Sequence, residues 1–214
     1  MYIPASFRES RIEILHEFIC AHPFGLLISA GDGGLQATPL PFQLEADGGN
    51  GTLRAHMARA NPHGQALAGA AECLVVFQGE QGYVTPSWYA SKQATGKAVP
   101  TWNYAAVQAR GRPRVVEDAA WLRPHLERLT QAQEGRRAQP WAVDDAPEDY
   151  LAAQMKAIVG IEIPIARIEG KWKMSQNRDA ADRRGVIAGL RDAGDPHRDP
   201  ALADLVEIRM KDGP

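Results

Sequence analysis

The sequence predicts an α+β protein: a mostly antiparallel β-barrel decorated by peripheral helices. Three observations carry this. Short apolar runs with strand character recur along the chain, each bounded by turn residues. Twenty glycines and fifteen prolines in 214 residues supply many turns, which suits short strands better than a helical bundle. The helical patterns stand around this strand-rich body, and no repeat or low-complexity linker interrupts it.

From the N-terminus, Ser6-x-x-Glu9 reads as a capping box with Ile12, Leu15 and Ile19 at helical spacing behind it, so a first helix is expected from about Phe7 to Ala21, closed by Pro23. Phe24 to Ala30 is a short apolar strand, and Gly31-Asp32-Gly33-Gly34 a hairpin turn. The strand resumes from Leu35 to Leu44, where Pro39 and Pro41 demand an edge or a bulge. Asp47-Gly48-Gly49-Asn50-Gly51 is another turn, and Thr52 to Met57 a third strand.

Asn61-Pro62 places an N-cap and an N1 proline before a helix reaching about Ala68. Glu72 to Val84 is the best strand stretch, around Cys73-Leu74-Val75-Val76-Phe77. Tyr89 to Ala98 is polar and reads as a loop. Val99 to Val116 returns to strand, broken near Gly111-Arg112-Pro113. Asp118 caps a helix carrying Trp121, Leu122, Leu126 and Leu129, and a second helix runs from Glu148 to Ile158 after a polar connection. Ile158 to Met174 has strand character again. Beyond Asp179 two short helical stretches centre on Ala188 and Leu202. Residues 1–178 are thus expected to form the barrel domain, with 179–214 a helical extension packed on it.

Composition excludes several classes. A net charge of −2 and a pI of about 6.3 count against a dedicated reader of DNA, which usually carries a basic stripe. Cys20 and Cys73 sit in apolar settings and read as buried free thiols. The N-terminus lacks a signal peptide's basic and apolar regions, and no apolar run is long enough to cross a membrane, so a soluble cytoplasmic protein is expected. The six histidines show no HxxxH or HExxH spacing and no cysteine partner, which argues against a metal site. P-loop, GxGxxG and GxSxG signatures are absent.

Four segments carry side chains that a plain strand does not need. In Arg54 to His63 a strand ends against a helix N-terminus, where orphan N–H groups favour an anion, and Arg59 beside it suits a phosphate. The alternative is a solvated arginine and an ordinary Asn61 cap. Tyr83-Val84-Thr85-Pro86-Ser87-Trp88-Tyr89 and Val99-Pro100-Thr101-Trp102-Asn103-Tyr104 could wall a flat heteroaromatic ring, with Thr101 and Asn103 supplying hydrogen bonds; packing in a core or interface is the other reading. In Gly170 to Arg178, period two puts Lys171, Lys173 and Ser175 on one face and Trp172 and Met174 on the other. Two lysines on one face repel unless an anion or solvent separates them, and a solvated edge strand is the usual explanation.

Taken together the segments resemble the PaiB family of FMN-binding negative transcriptional regulators. The likeness runs nearly end to end: Met1-Tyr2-Ile3-Pro4 and Phe7, Thr38-Pro39-Leu40-Pro41, His56-Met57-Ala58-Arg59-Ala60-Asn61-Pro62, Val84-Thr85-Pro86-Ser87-Trp88-Tyr89, Val99 to Tyr104, and Lys171-Trp172-Lys173-Met174-Ser175-Gln176-Asn177-Arg178. Any one is weak; their order along the chain makes the signal specific. The resemblance implies the split β-barrel shared with pyridoxamine-phosphate oxidases and flavin reductases, a homodimer, and an FMN in a groove contacted by both subunits. It implies a flavin-phosphate anchor at Arg59 and Asn61, with His56 facing the same groove. Thr101, Trp102 and Asn103 become ring contacts. Lys171, Lys173, Ser175 and Gln176 become contacts to flavin or substrate.

The resemblance implies two functions: a flavin-dependent regulator that acts on transcription indirectly, or an FMN-dependent oxidoreductase with a small-molecule substrate or nicotinamide donor. No residue is assigned to catalysis. A haem-like cofactor would need an axial ligand, for which only His56 offers itself.

Overall fold

The computed structural model describes residues 1–31 and 33–211. The chain forms two compact units: the first gathers Met1–Leu15, Gln78–Val107 and the chain from Glu169 on, the second His16–Phe77 and Gln108–Ile168.

The N-terminus departs from the sequence reading. Ser6 lies in a single 3-10 turn (Ala5–Phe7), β1 (Arg8–Glu9) comes next as a strand, and helix α1 begins only at Ile12 (Ile12–Ala21). Glu9 does not box a helix start; its carboxylate is 4% exposed and binds Arg11 and Arg209 instead. A long-range ion pair has overridden a local motif that spacing alone could not distinguish.

In the second unit, β2 (Phe24–Gly31) and β3 (Gly34–Pro41) form an antiparallel hairpin with Leu27 opposite Thr38. Of its expected turn, Asp32 lies outside the described residues. β2 also pairs with β6 (Cys73–Val84), Leu27 opposite Val75. The expected strand from Leu35 to Leu44 is broken at Phe42, whose buried ring packs edge-on against Phe77. Past this break, β4 (Gln43–Glu45) forms the edge of a separate antiparallel sheet, β4-β5-β9-β8, built with β5 (Thr52–Ala58), β9 (Ile158–Pro164) and β8 (Arg114–Val116).

Alternation along β5 buries Leu53, Ala55 and Met57 with Val159, Ile161 and Ile163 of β9. Each of these side chains larger than alanine contributes about 1.5–3 kcal/mol when fully buried. The opposite face carries Arg54, His56, Gly160 and Glu162, with Arg54 opposite Glu162 and His56 opposite Gly160. Helix α4 (Ala119–Glu134), capped by Asp118, covers it. Trp121 lies so close to Gly160 that a Cβ there would stand 2.2 Å from its ring, which is why this strand position tolerates no side chain. Helices α2 (Pro62–Gly69) and α5 (Glu148–Lys156) complete the unit. Cys73 is buried as expected; Cys20 is exposed, because it falls on the solvent side of α1.

In the first unit the strand order is β1-β10-β7-β6, with β7 (Thr101–Gly111) and β10 (Arg167–Lys173); Arg8 of β1 faces Lys171 of β10. Within the expected loop from Tyr89 to Ala98, residues Ala90–Thr95 form a short helix, α3. Its N-terminal N–H and hydroxyl at Ser91 both bind the carboxylate of Asp182, a distant partner invisible to local propensity. Helices α6 (Ala180–Arg191) and α7 (Pro200–Lys211) form the C-terminal pair. Gly185 and Gly189, one turn apart on α6, leave room for Trp88: a Cβ at Gly189 would meet its indole at 2.3 Å, and one at Gly185 its carbonyl oxygen at 1.9 Å.

Candidate functional site

The sequence-derived site residues fall into clusters in both units. In the first unit Lys173 Nζ donates to Thr101 Oγ1 and to the carbonyl of Trp102. Lys171 Nζ donates to the carbonyl of Tyr2 at 3.1 Å and stands 5.1 Å above the ring of Tyr104. Both ammonium groups bind neutral oxygens and have no carboxylate within ion-pair distance among the described residues. Burial, then the like charges of Lys171 and Arg178, pushes the Lys173 ammonium below the usual lysine range. Arg178 itself lies 4.5 Å over the buried ring of Tyr89.

Behind this charged corner lies a buried polar layer. Asn103, fully buried, donates from Nδ2 to Ser175 Oγ at 3.0 Å, and the Ser175 hydroxyl returns a longer bond of 3.3 Å to Asn103 Oδ1. Ser175 holds φ at +63°, a left-handed conformation rare for a residue other than glycine. Gln176 clamps the backbone on either side: its Oε1 accepts from the N–H of Met174 and its Nε2 donates to the carbonyl of Trp172, both at 2.6 Å. Ser175, Gln176 and Asn103 therefore shape the end of β10, beside which stand the half-buried Thr101 and Lys173 and the buried Lys171. Trp102 is 48% exposed and its indole donates to Gln81 Oε1 at 2.5 Å.

In the second unit His56 and Arg59 flank the end of β5. The Arg59 guanidinium binds the carbonyl of Lys156 at 3.0 Å and Glu117 at 2.7 Å. Asn61 caps α2, its side chain accepting from the N–H of His63 at 3.0 Å. The helix entrance is tied down further by His63, which is 1% exposed and lies between Ser29 Oγ (2.9 Å) and Thr38 Oγ1 (2.7 Å).

His56 has a partner that sequence reasoning missed. Its Nδ1 lies 3.1 Å from Nε2 of His125, whose Nδ1 lies 2.9 Å from Gln43 Oε1. With the Gln43 oxygen as acceptor, His125 carries its proton on Nδ1, accepts from His56 at Nε2, and leaves Nε2 of His56 as a lone pair. Burial first, then the charges of His56, Arg128 and Arg54, pushes His125 down to about 3, so it stays neutral. Trp121 stacks on the His125 ring at 5.1 Å. The available signal was the spacing of Trp121 and His125, one helical turn apart beside the leucine stripe of α4. Tyr2 and Tyr104, the partners of Lys171, lie in the Met1–Pro4 and Val99–Tyr104 motifs, but their pairing needed the fold.

Paired lysines with no carboxylate partner among the described residues, a hydroxyl and aromatic rings set cationic donors beside flat apolar faces, chemistry that suits an anionic, flat ligand. Their donor chemistry fits the phosphate of FMN or the N1–C2 carbonyl edge of its ring. The comparisons give the same class. Residues 1–167 match the family described as "Putative FMN-binding domain". An uncharacterised protein of Emericella nidulans is 39% identical over 99% of both chains. The Bacillus subtilis "Protease synthase and sporulation protein PAI 2" is 30% identical, again over 99% of both. A solved FAD- and haem-binding protein from Mycobacterium smegmatis shares the fold, with TM-score 0.60 at 21% identity, covering 85% of this chain and 80% of that one. The architecture is the split β-barrel of flavin-binding proteins. This chain belongs to the FMN-binding PaiB family, and FMN is its cofactor.

Proposed function

We propose that this protein is an FMN-dependent sensor that affects transcription indirectly, with the Lys171–Lys173 face of the first unit as its flavin contact. The observation that carries this is the uncompensated charge at Lys173, held against Thr101 Oγ1 and the carbonyl of Trp102. A cation gathered with like charges and no counter-ion gains most when an anion arrives. Arg59, of this copy or of a second one, is the phosphate anchor in this reading: its partner Glu117 is 66% exposed, so a phosphate can replace that ion pair at small cost. His56 and Asn61 then fix the strand end and helix start on which Arg59 stands. Thr101 and the carbonyl of Trp102 orient the Lys173 ammonium, and Asn103, Ser175 and Gln176 hold the backbone beneath.

Bound FMN supplies the redox chemistry, and the residues tune it. A lysine beside the pyrimidine edge of the ring stabilises the anionic reduced form and raises the potential. A regulatory role draws support from the name of the Bacillus relative, which refers to protease synthesis and sporulation. An indirect route is supported by two of the three arginines of α6, Arg184 being exposed and the other two engaged by their neighbours: Arg183 donates to the carbonyl of Arg209, and Arg191 pairs with Asp204 and Glu207. Neither is then free to read a phosphate backbone. No helix of the described residues is long and apolar enough to cross a membrane, in keeping with a cytoplasmic location.

A homodimer belongs to the same reading. Phe24 (67% exposed) and Leu35 (80%) leave an apolar surface on the β2–β3 hairpin, and a second copy is the natural cover. An FMN-dependent oxidoreductase is the second reading, favoured by Lys173 because a cation that stabilises reduced flavin serves electron transfer equally well.

The deciding experiment is titration of the purified protein with FMN, following flavin fluorescence, for wild type, Lys173→Met and Arg59→Ala. Saturable quenching weakened in both variants supports the site; equal affinity in all three proteins refutes it. Turnover of NADPH by the loaded protein would favour the oxidoreductase. A salt-sensitive shift of promoter DNA would overturn the indirect route.

A further inference from the structure

A cleft of about 440 Å³ in the first unit lies apart from the Lys173 contact and is lined in part by the tail beyond the family match. Its floor is Gln81 and Gly82 of β6, one wall is Tyr83 with Trp102, and the other is the segment from His197 to Asp199 that leads into α7. Its size is that of small-molecule sites, roughly 300–1,000 Å³.

Three rings converge there. Tyr83 stands 4.8 Å from His197 and 6.2 Å, edge-on, from Trp102. The indole N–H is already bound to Gln81 Oε1, which fixes the ring and leaves its face for stacking. Two charged groups edge the cleft, and they differ in availability. Asp199 is engaged as the cap of α7, accepting from the N–H of Leu202 at 2.9 Å. Arg198 is exposed and has no carboxylate within ion-pair distance among the described residues.

We infer that this cleft binds a second small ligand, a flat heteroaromatic ring joined to an anionic group, with the ring against Trp102 and Tyr83 and the anion on Arg198. An exposed indole fixed by a hydrogen bond, with a half-buried tyrosine ring beside it, suits stacking, and a planar guanidinium suits a phosphate or carboxylate. The inference goes beyond the flavin reading and makes the C-terminal extension a specificity element: His197 and Arg198 complete a wall that β6 and β7 only begin. FMN and this ligand bind side by side, sharing only the start of β7, where Lys173 holds the carbonyl of Trp102.

Isothermal titration with nicotinamide mononucleotide tests this, performed on the protein alone and with saturating FMN. Nicotinate and uncharged nicotinamide serve as comparison probes, and Arg198→Gln and Tyr83→Leu as variants. The expected result is saturable binding of the mononucleotide with and without FMN. Arg198→Gln should weaken it by about tenfold and Tyr83→Leu measurably, with FMN affinity unchanged in both. Nicotinate binding that also depends on Arg198 would assign the anion as a carboxylate as well as a phosphate. Three results would overturn the inference: no binding up to millimolar mononucleotide, nicotinamide binding as tightly as the mononucleotide, or displacement of the mononucleotide by FMN. The last would make the cleft the flavin's own ring site. Flavin fluorescence on the same variants reports FMN binding separately, so either reading can fail while the other stands.

Discussion

Glu9 and Arg209 lie 200 residues apart in sequence and 2.6 Å apart in the fold, with the carboxylate 4% and the guanidinium 14% exposed. The pair fastens the last helix to the first strand, and Arg209 also lies 5.1 Å over the ring of Trp172. Glu9→Gln should cost about 1.5–3 kcal/mol in denaturant unfolding, since it takes the charge from a nearly buried carboxylate that binds both Arg11 and Arg209. Burial alone would raise the Glu9 carboxyl, but Arg11 and Arg209 hold it down at about 2. Its stabilisation is therefore full above the unfolded value near 4.5 and is lost as pH falls toward 2. Melts at several pH values should show a steeper loss between pH 4.5 and 2 in wild type than in Glu9→Gln.

His125 should remain neutral far into the acid range. Its folded value near 3 lies below the ordinary 6.5, so the unfolded chain binds the extra proton, and stability falls as pH drops from about 6.5 toward 3. The imidazole resonances of His125, followed by NMR, should stay flat above pH 4. Titration near 6.5 would refute the buried relay through His56 and Gln43.

Lys173→Met should weaken FMN by about tenfold or more, the loss of a charge-assisted contact, and lower the flavin's midpoint potential. Because the free Lys173 ammonium titrates below the usual range, FMN affinity should decline with rising pH earlier than for an ordinary lysine. The Met variant should lack that decline. An unchanged potential measured by dye equilibration would remove Lys173 from the ring.

Glu117→Gln should have the opposite sign to Arg59→Ala. Freeing the Arg59 guanidinium from an exposed carboxylate should tighten FMN by about two- to fivefold, while Arg59→Ala weakens it. If the two variants move affinity in the same direction, Arg59 is not the phosphate anchor.

Leu35→Glu, placed on the exposed apolar surface of β3, should shift sedimentation from dimer to monomer. A wild-type monomer at micromolar concentration would show that the hairpin is not covered by a second copy.

Much of the frame was legible because it rests on short-range rules. Apolar runs marked β5 and β9 as strands, Asn61-Pro62 the start of α2, and Asp118 that of α4. Local rules failed where a distant group intervened. Ser6-x-x-Glu9 matched a helix cap, yet Arg209 holds Glu9 in a strand. The polar run after Tyr89 carried no helical stripe, yet Asp182 caps α3 there. Cys20 reads apolar in its neighbourhood and is nonetheless exposed, since a helix has a wet side that a single residue's neighbours do not reveal.

By itself, the sequence determined most of the element types and the motifs that point to FMN, all encoded in residues near one another along the chain. Only the tertiary structure decided which side chains meet: Lys173 with Thr101, His56 with His125, Tyr83 with His197. Those pairs fix charge, tautomer and cleft shape. They depend on strand register and helix packing, which are set by burial summed over the core and so are written in no single segment.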